Sequence, residues 1–168
     1  RGCEDYPLLA KIQKTYHQLQ VLYTVSISGS DYALDAQVLN INGISQEEIS
    51  RLQFLPQLKK VRLESSRNAA QLISLIDTCK KRNIAVTVAI GGTDYDLNTA
   101  KLSVDHITTE ELQLLYLLPQ LKELYLTEPQ ADAENLLQLT QDLRSADIIW
   151  EKTILGISYT NNLTQVDL

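Results

Sequence analysis

The chain has 168 residues, of which 44% are hydrophobic and 21% charged, as in a folded globular domain rather than a disordered segment. Its formal net charge of −6 argues against nucleic-acid binding, which requires a basic face. No run of the sequence approaches the roughly 18 apolar residues that cross a bilayer. We therefore expect no membrane insertion within this chain.

Apolar periodicity predicts a helix first and short strands after it. Residues 7–19 carry apolar side chains at helical spacing, and residues 21–28 are β-branched and aromatic, as in a strand. That strand is predicted to end at Gly29 and to be followed by a loop that begins at Ser30. Residues 38–41 then form a second short strand.

One stretch of the chain occurs twice, and this repetition organises the rest. Residues 44–63 read ISQEEISRLQFLPQLKKVRL, and residues 107–126 read ITTEELQLLYLLPQLKELYL. The two copies lie 63 residues apart, align without a gap and are identical at half of their positions. Leu52 and Leu115 occupy the same place in the two copies, so we predict that they are equally buried.

Each copy begins with the signature of a helix start. Ser45 with Glu48 and Thr108 with Glu111 have the spacing of a capping box, in which each side chain bonds a free amide of the first turn. The first helix is predicted to end near Pro56, which cannot continue it. An L-x-L strand then closes each copy, at residues 61–63 and 124–126.

The remaining sequence extends this pattern into a repeat. A helix over residues 71–79 and a strand over 84–90 precede the second copy, with a further short strand over 102–104. A third unit carries a helix with Leu136, Leu137, Leu139 and Leu143, and a strand over residues 148–155.

These elements predict an α/β protein with a solenoid-like repeat architecture. It has about two and a half units of roughly 63 residues, at 1–63, 64–126 and 127–168, within a single repeat domain. The helical faces and short strands of one unit cannot bury themselves alone, whereas stacked units share one core. Because the first and last units are partial, we interpret the chain as a fragment of a longer array.

The segments LPQLKKVRL and LPQLKELYL resemble leucine-rich repeats. The whole unit, in which VLYTVSISGSDY or VTVAIGGTDY precedes an L-x-L strand, is similar to leucine-rich-repeat-like arrays in large exported or surface proteins of gut Firmicutes. The resemblance covers essentially the whole chain and implies an extracellular or cell-surface location. Leucine-rich repeats usually place Asn or Cys just after the strand. Residues such as Ser65 and Glu128 stand there in this chain, so a regular asparagine ladder is not expected.

Three tyrosines are the candidate binding residues. Tyr32, Tyr95 and Tyr159 each follow a predicted glycine turn, one in every unit. One interpretation is that each ring fills the gap between neighbouring units. The other is that the three rings form an exposed row that stacks on a glycan or a partner peptide.

Acidic and histidine residues give weaker signals. Asp94, Asp96 and Asn98 are spaced like the start of a calcium loop, but Thr99 replaces the required glycine, so loop-capping side chains are the preferred interpretation. His17 and His106 have no Cys or second His at metal-ligand spacing. We predict no catalytic residues and no cofactor.

Two cysteines are too few for a disulfide framework, and whether Cys3 and Cys79 pair stays open. Cys79 lies in an apolar helical pattern and is predicted to be a buried thiol.

Three functions remain, in order of preference. The first is a non-catalytic module that binds a protein partner, the second a structural spacer of a larger surface protein, and the third a carbohydrate-binding or carbohydrate-active domain. The partner, an unknown protein or glycan, cannot be named from the sequence.

Overall fold

A computed structural model describes residues 23–65, 69–154 and 157–161. Over these residues the chain is a mixed α/β protein with four α-helices and several sheets, which confirms the predicted α/β class. The chain divides into two compact units, whose bounds differ from those of the predicted repeat units. The first unit is Arg1–Val61 with Asn68–Ala85, and the second unit is Arg62–Arg67 with Val86–Leu168. The helix predicted over residues 7–19 falls outside the described residues.

The first unit contains a strand hairpin, a third strand and two helices. In chain order the elements are β1 (Thr24–Ile27), β2 (Ser30–Ala33), β3 (Val38–Ile41), α1 (Gln46–Arg51), a 3₁₀ turn (Leu52–Phe54), β4 (Lys60–Leu63) and α2 (Ala69–Lys81). The last two residues of β4 belong to the second unit. β3, β4 and α2 agree with the predicted elements to within two residues.

The loop predicted at Ser30 is wrong, because Ser30 begins β2. β1 and β2 pair antiparallel through the turn Ser28-Gly29, in which both residues have positive φ, 53° and 75°. Two residues with positive φ give the tight turn whose twist matches that of paired strands. β1 therefore ends just before Gly29, as predicted, and the chain then turns into β2 rather than into a loop.

The carboxylate of Glu48 joins this hairpin to the start of α1. Ser45 caps the helix by accepting the Glu48 amide on its hydroxyl at 3.2 Å, and Glu48 Oε2 accepts the Ser45 amide at 2.8 Å, which confirms the predicted capping box. The other oxygen, Oε1, accepts the amide of Ser28 in the hairpin turn at 2.8 Å. One side chain thus satisfies two backbone donors that are 17 residues apart in the chain.

These bonds alter the acidity of Glu48. Partial burial raises the pKa of the carboxyl, but the hydrogen bonds from Ser45 and Ser28 and the charge of Arg51 outweigh burial and hold the pKa below its ordinary value. The ionised form of Glu48 is therefore the form that stabilises the first unit.

The starts of three strands lie side by side in the first unit. The backbone oxygen of Gln37, just before β3, accepts the amides of Lys59 and Lys60 at 2.9 and 3.0 Å. The oxygen of Lys59 accepts the amide of Ala85 at 2.9 Å. Arg82 is the first residue after α2. Its guanidinium group donates to the backbone oxygens of Leu52 and Leu55 at 2.6 and 3.2 Å and so caps the 3₁₀ turn.

The second unit contains two hairpin strands followed by a parallel sheet with helices in its connections. In chain order the elements are β5 (Ala85–Ile90), β6 (Thr93–Asp96), β7 (Lys101–Asp105), α3 (Thr109–Leu115), β8 (Glu123–Thr127), α4 (Ala133–Asp142), β9 (Asp147–Ile154) and β10 (Ile157–Thr160). Only Ala85 of these residues belongs to the first unit. The strands predicted over 84–90, 102–104, 124–126 and 148–155 are each confirmed to within one residue.

The second unit uses the same carboxylate arrangement as the first. Glu111 Oε2 accepts the amide of Thr108 at 2.9 Å, and Oε1 accepts the amide of Gly91 in the turn between β5 and β6 at 2.9 Å. A Cβ atom at Gly91 would lie 2.8 Å from the Cγ1 of Val104 on β7. Gly91 is therefore required by close approach as well as by its φ of 56°.

The sheet of the second unit has the strand order β10-β9-β8-β7. β7, β8 and β9 are parallel, and β10 returns antiparallel to β9. The oxygen of Ala100 accepts the amides of Lys122 and Glu123 at 2.8 and 3.1 Å, and the oxygen of Lys122 accepts the amide of Asp147 at 2.7 Å. These bonds fix which residues lie next to one another on the three parallel strands.

Helical periodicity explains which apolar side chains enter the core. Leu72, Leu75 and Cys79 are buried on one face of α2, and burial raises the pKa of the Cys79 thiol to about 11, as expected for the predicted buried thiol. Ile73 of α2 and Leu137 of α4 are also apolar, but they are 56% and 55% exposed. Each lies about 100° around the helix from its buried neighbour and therefore faces away from the core.

The first test concerns Leu52 and Leu115, both of which are 0% exposed, as predicted. We expect Leu52→Ala and Leu115→Ala each to lower the free energy of unfolding by about 2–5 kcal/mol, because each removes buried methyl groups and leaves a cavity. Urea denaturation measures the change. The exposed neighbours Gln53 and Gln113 supply controls, and their alanine variants should stay within about 0.5 kcal/mol of the wild type. Near-neutral results at both leucines would contradict the packing described.

A second test uses the acidity of Glu48. The folded pKa lies below the unfolded one, so the stabilisation is complete above the unfolded pKa and is lost as the pH falls through the folded pKa. We expect Glu48→Gln to be less stable than the wild type at about pH 7, and the gap to close as the pH falls through the folded pKa of Glu48. Urea midpoints measured at several pH values report this gap. A gap that does not depend on pH would show that the charge of Glu48 contributes nothing.

Candidate functional site

The candidate site is the outward face of the parallel sheet in the second unit. The strand register aligns two rows of outward side chains across β7, β8 and β9. The first row is Lys101, Glu123 and Asp147, and the second row is Ser103, Tyr125 and Ile149. These six residues, with Leu102 and Leu124, line a groove of about 530 Å³, which we call the outward groove.

Strand periodicity places these side chains outside. Leu102, Leu124 and Ile148 alternate with them along the three strands and are buried on the opposite face. Because successive side chains of a strand point to opposite faces, burying these three residues forces their neighbours outward. The groove is thus a consequence of the apolar core beneath it.

Tyr125 is the central residue of the outward groove. Its side chain is 41% exposed, and its hydroxyl donates to Glu151 Oε2 at 3.2 Å. This hydrogen bond and the negative charge of Glu151 raise the pKa of Tyr125, because ionising the phenol would place two negative charges side by side. Ile149 lies directly across from Tyr125 on β9 and is half-buried. The centre of the groove is therefore apolar, and the Tyr125 hydroxyl is the polar group at its edge.

The surroundings of the groove are acidic. Lys101 forms an ion pair with Glu123 at 2.7 Å between Nζ and Oε1. A third row, Asp105, Thr127 and Glu151, continues the outward face beyond Tyr125. The three rows together carry four carboxylates and one ammonium group, a formal charge of −3. The outward face therefore favours positively charged over negatively charged ligands.

Backbone bonds fix the far end of this sheet. His106 and Glu128 follow β7 and β8 directly, and both have positive φ, 56° and 46°. The carboxylate of Glu128 accepts the amide of Thr153 at 3.0 and 3.1 Å. Hydrogen bonding by the side chain of Thr153 and then by its backbone holds the pKa of Glu128 below the ordinary value. Nδ1 of His106 lies 3.2 Å from the backbone oxygen of Glu128. These contacts are structural, and the absence of catalytic residues stays a prediction.

The three candidate tyrosines lie on the return strands of the hairpins. Tyr32 pairs with Val25, Tyr95 with Val88, and Tyr159 with Lys152. Tyr32 and Tyr95 are half-buried, whereas Tyr159 is 43% exposed. None of the three lines the outward groove.

The hydroxyl of Tyr32 has a visible structural role. It donates to the backbone oxygen of Asn40 at 2.9 Å and accepts the Asn40 amide at 3.3 Å, so it holds β2 against β3. A partner that accepted a hydrogen bond from this hydroxyl would have to displace the backbone oxygen of Asn40. Ligand binding by Tyr32, Tyr95 and Tyr159 stays a prediction.

The weak calcium candidate lies on β6 and the turn after it. Asp94 pairs with Arg62, which also pairs with Glu64. Asp96 Oδ1 accepts the amide of Asn98 at 2.8 Å, as the loop-capping interpretation expects. Among residues 23–65, 69–154 and 157–161, no group of three His, Cys, Asp or Glu side chains is placed to hold a metal ion.

Tyr125 is the middle residue of the strand predicted at residues 124–126, but it is not among the predicted binding residues. A signal was present, since the middle residue of such a strand points away from the buried leucines. The corresponding residue of the first copy is Arg62, so the aromatic is not repeated. The repeat pattern therefore does not reveal it.

Comparisons with family models, with curated proteins and with solved structures return no match. Within the described ranges, no helix combines the length and apolar character needed to cross a membrane.

The bond between Tyr125 and Glu151 can be tested directly. We expect Glu151→Gln to lower the pKa of Tyr125 toward its ordinary value, because the variant removes the charge that opposes phenolate formation. Titration of tyrosine labelled at Cζ with ¹³C measures the pKa, and Tyr125→Phe assigns the signal. The control is Glu123→Gln, which neutralises a carboxylate that pairs with Lys101 instead. The same Tyr125 pKa in the wild type and in Glu151→Gln would contradict the described bond.

Proposed function

We propose that this chain is a non-catalytic module of a leucine-rich-repeat-like array, displayed outside the cell, and that it binds a protein partner in the outward groove. The observation that carries the proposal is the exposed ring of Tyr125 beside Ile149, at the centre of a groove with charged surroundings. An aromatic anchor surrounded by polar residues is the usual anatomy of a protein interface.

Matching local geometry supports the repeat part of the proposal. Glu48 and Glu111 make the same bonds to their helix starts and hairpin turns. The hairpins β1–β2 and β5–β6 have the same register. The backbone oxygens of Gln37 and Ala100 each accept two amides, from equivalent residues at the starts of β4 and β8. Units built alike are what a stacked array requires.

The alternatives differ in what they expect of the surface. A structural spacer would present an evenly polar surface, which the groove around Tyr125 does not favour. A carbohydrate-binding module has one observation in its favour, since an exposed ring next to the Glu151 carboxylate could stack on a sugar and bond its hydroxyls. We keep glycan binding as the second candidate.

The test is a selection of peptides and glycans on the folded protein. A random peptide library and a glycan array are each screened against the wild type, and the hits are measured again on Tyr125→Ala. We expect peptide hits whose affinity falls at least about tenfold in Tyr125→Ala, as for an interface anchor. Leu137→Ala, which truncates an exposed apolar side chain on α4, is the control and should change affinity less than about twofold.

Three outcomes would contradict the proposal. Glycan hits without peptide hits would favour the second candidate. Hits that are equally sensitive to both variants would place binding elsewhere. An absence of hits of either kind would favour the spacer.

A further inference from the structure

We propose that the outward groove takes an extended, positively charged peptide segment, in which two Lys or Arg residues four positions apart flank a central apolar residue. The inference rests on the proposed function and names the chemistry of the partner. It depends on the spacing of acidic and apolar side chains on β9 and β8.

The spacing on β9 matches that of an extended chain. Asp147, Ile149 and Glu151 are at positions i, i+2 and i+4 of one strand and share its outward face. At about 3.3 Å per residue, the backbone positions of the two acidic residues are about 13 Å apart. A bound extended segment has the same period, so its side chains at i and i+4 can reach both carboxylates.

The charges favour basic side chains at those two positions. Lys101 carries the one ammonium group of the three rows, and it pairs with Glu123 on β8 at 2.7 Å. It therefore does not pair with the acidic residues of β9 in this structure. Glu151 accepts the hydroxyl of Tyr125 on Oε2, and an ionised carboxylate can accept several further donors. Hydrogen bonds between cationic donors and carboxylates are shorter and stronger than those between neutral groups.

The centre of the site requires an apolar residue. Tyr125 and Ile149 are neighbours across β8 and β9, about 5 Å apart, and together form a continuous apolar platform. The side chain at i+2 of a bound segment points at this platform when its neighbours at i and i+4 point at the acids. An acidic segment would meet four carboxylates on the outward face and would be repelled.

The experiment uses three capped synthetic peptides with the folded chain. The matched peptide is Gly-Lys-Ser-Leu-Ser-Lys-Gly. The register control, Gly-Lys-Leu-Ser-Lys-Ser-Gly, has the same composition but spaces its lysines three apart. The charge control replaces both lysines of the matched peptide by glutamate. Binding is followed by the amide and side-chain NMR signals of the outward groove, in low salt and in about 0.3 M salt, where exposed charges are strongly screened.

We expect the matched peptide to bind at least about tenfold more tightly than either control, and to weaken as salt rises. Its affinity should fall at least about tenfold in the double variant Asp147→Asn with Glu151→Gln, because both carboxylate partners of the lysines are neutralised. These substitutions preserve the size of each side chain, and circular dichroism checks that the variant is folded. Glu134→Gln, at an exposed position on α4, is the control for the loss of one charge.

Each other result has a defined meaning. Equal binding of the matched and register peptides would overturn the spacing, and tight binding of the glutamate peptide would overturn the charge. No binding of any of the three would overturn the inference altogether. The proposed function would survive in all these cases if library peptides without basic residues still lose affinity in Tyr125→Ala, and it would fail with the inference if no Tyr125-dependent peptide exists.

Discussion

The fold of this chain depends on two glutamates, each of which accepts hydrogen bonds from two separate parts of the backbone through its two carboxylate oxygens. In Glu48 and Glu111, one oxygen completes a capping box at the start of a helix, and the other accepts an amide from a hairpin turn. Both kinds of amide lack a hydrogen-bond partner within their own element, and the carboxylate supplies one to each. The helix start and the hairpin turn are therefore held together by one side chain, although two strands separate them in the chain.

This arrangement leaves one face of the parallel sheet uncovered by its own connections. In the second unit the leucines of β7 and β8 are buried on one side, so Tyr125 and its neighbours lie on the other. The exposed residues then vary without disturbing the core. The first copy of the repeat has Arg62 where the second has Tyr125, although the buried leucines on either side of Tyr125 are matched by Val61 and Leu63. A constant core with a variable face is well suited to recognising a partner.

Much of the fold follows from local sequence, and the site follows from it only in part. The capping boxes at Ser45 and Thr108 and the burial of Leu52 and Leu115 could be predicted because each depends on residues within a few positions. The hairpin at Ser28 could not, since a serine with positive φ gives no clear signal. The register that sets Tyr125 beside Ile149 joins residues 24 positions apart, and that pairing is fixed by tertiary bonds rather than by any local pattern.

One glutamate holds each hairpin to its helix, and the rest of the fold depends on this contact. The most direct measurement is amide hydrogen exchange at Ser28 and Gly91, followed by NMR in the wild type, in Glu48→Gln and in Glu111→Gln. We predict that both amides are protected in the wild type to the level of neighbouring strand amides. Each variant should lose protection selectively at its own hairpin. Rapid exchange of both amides in the wild type would contradict the account.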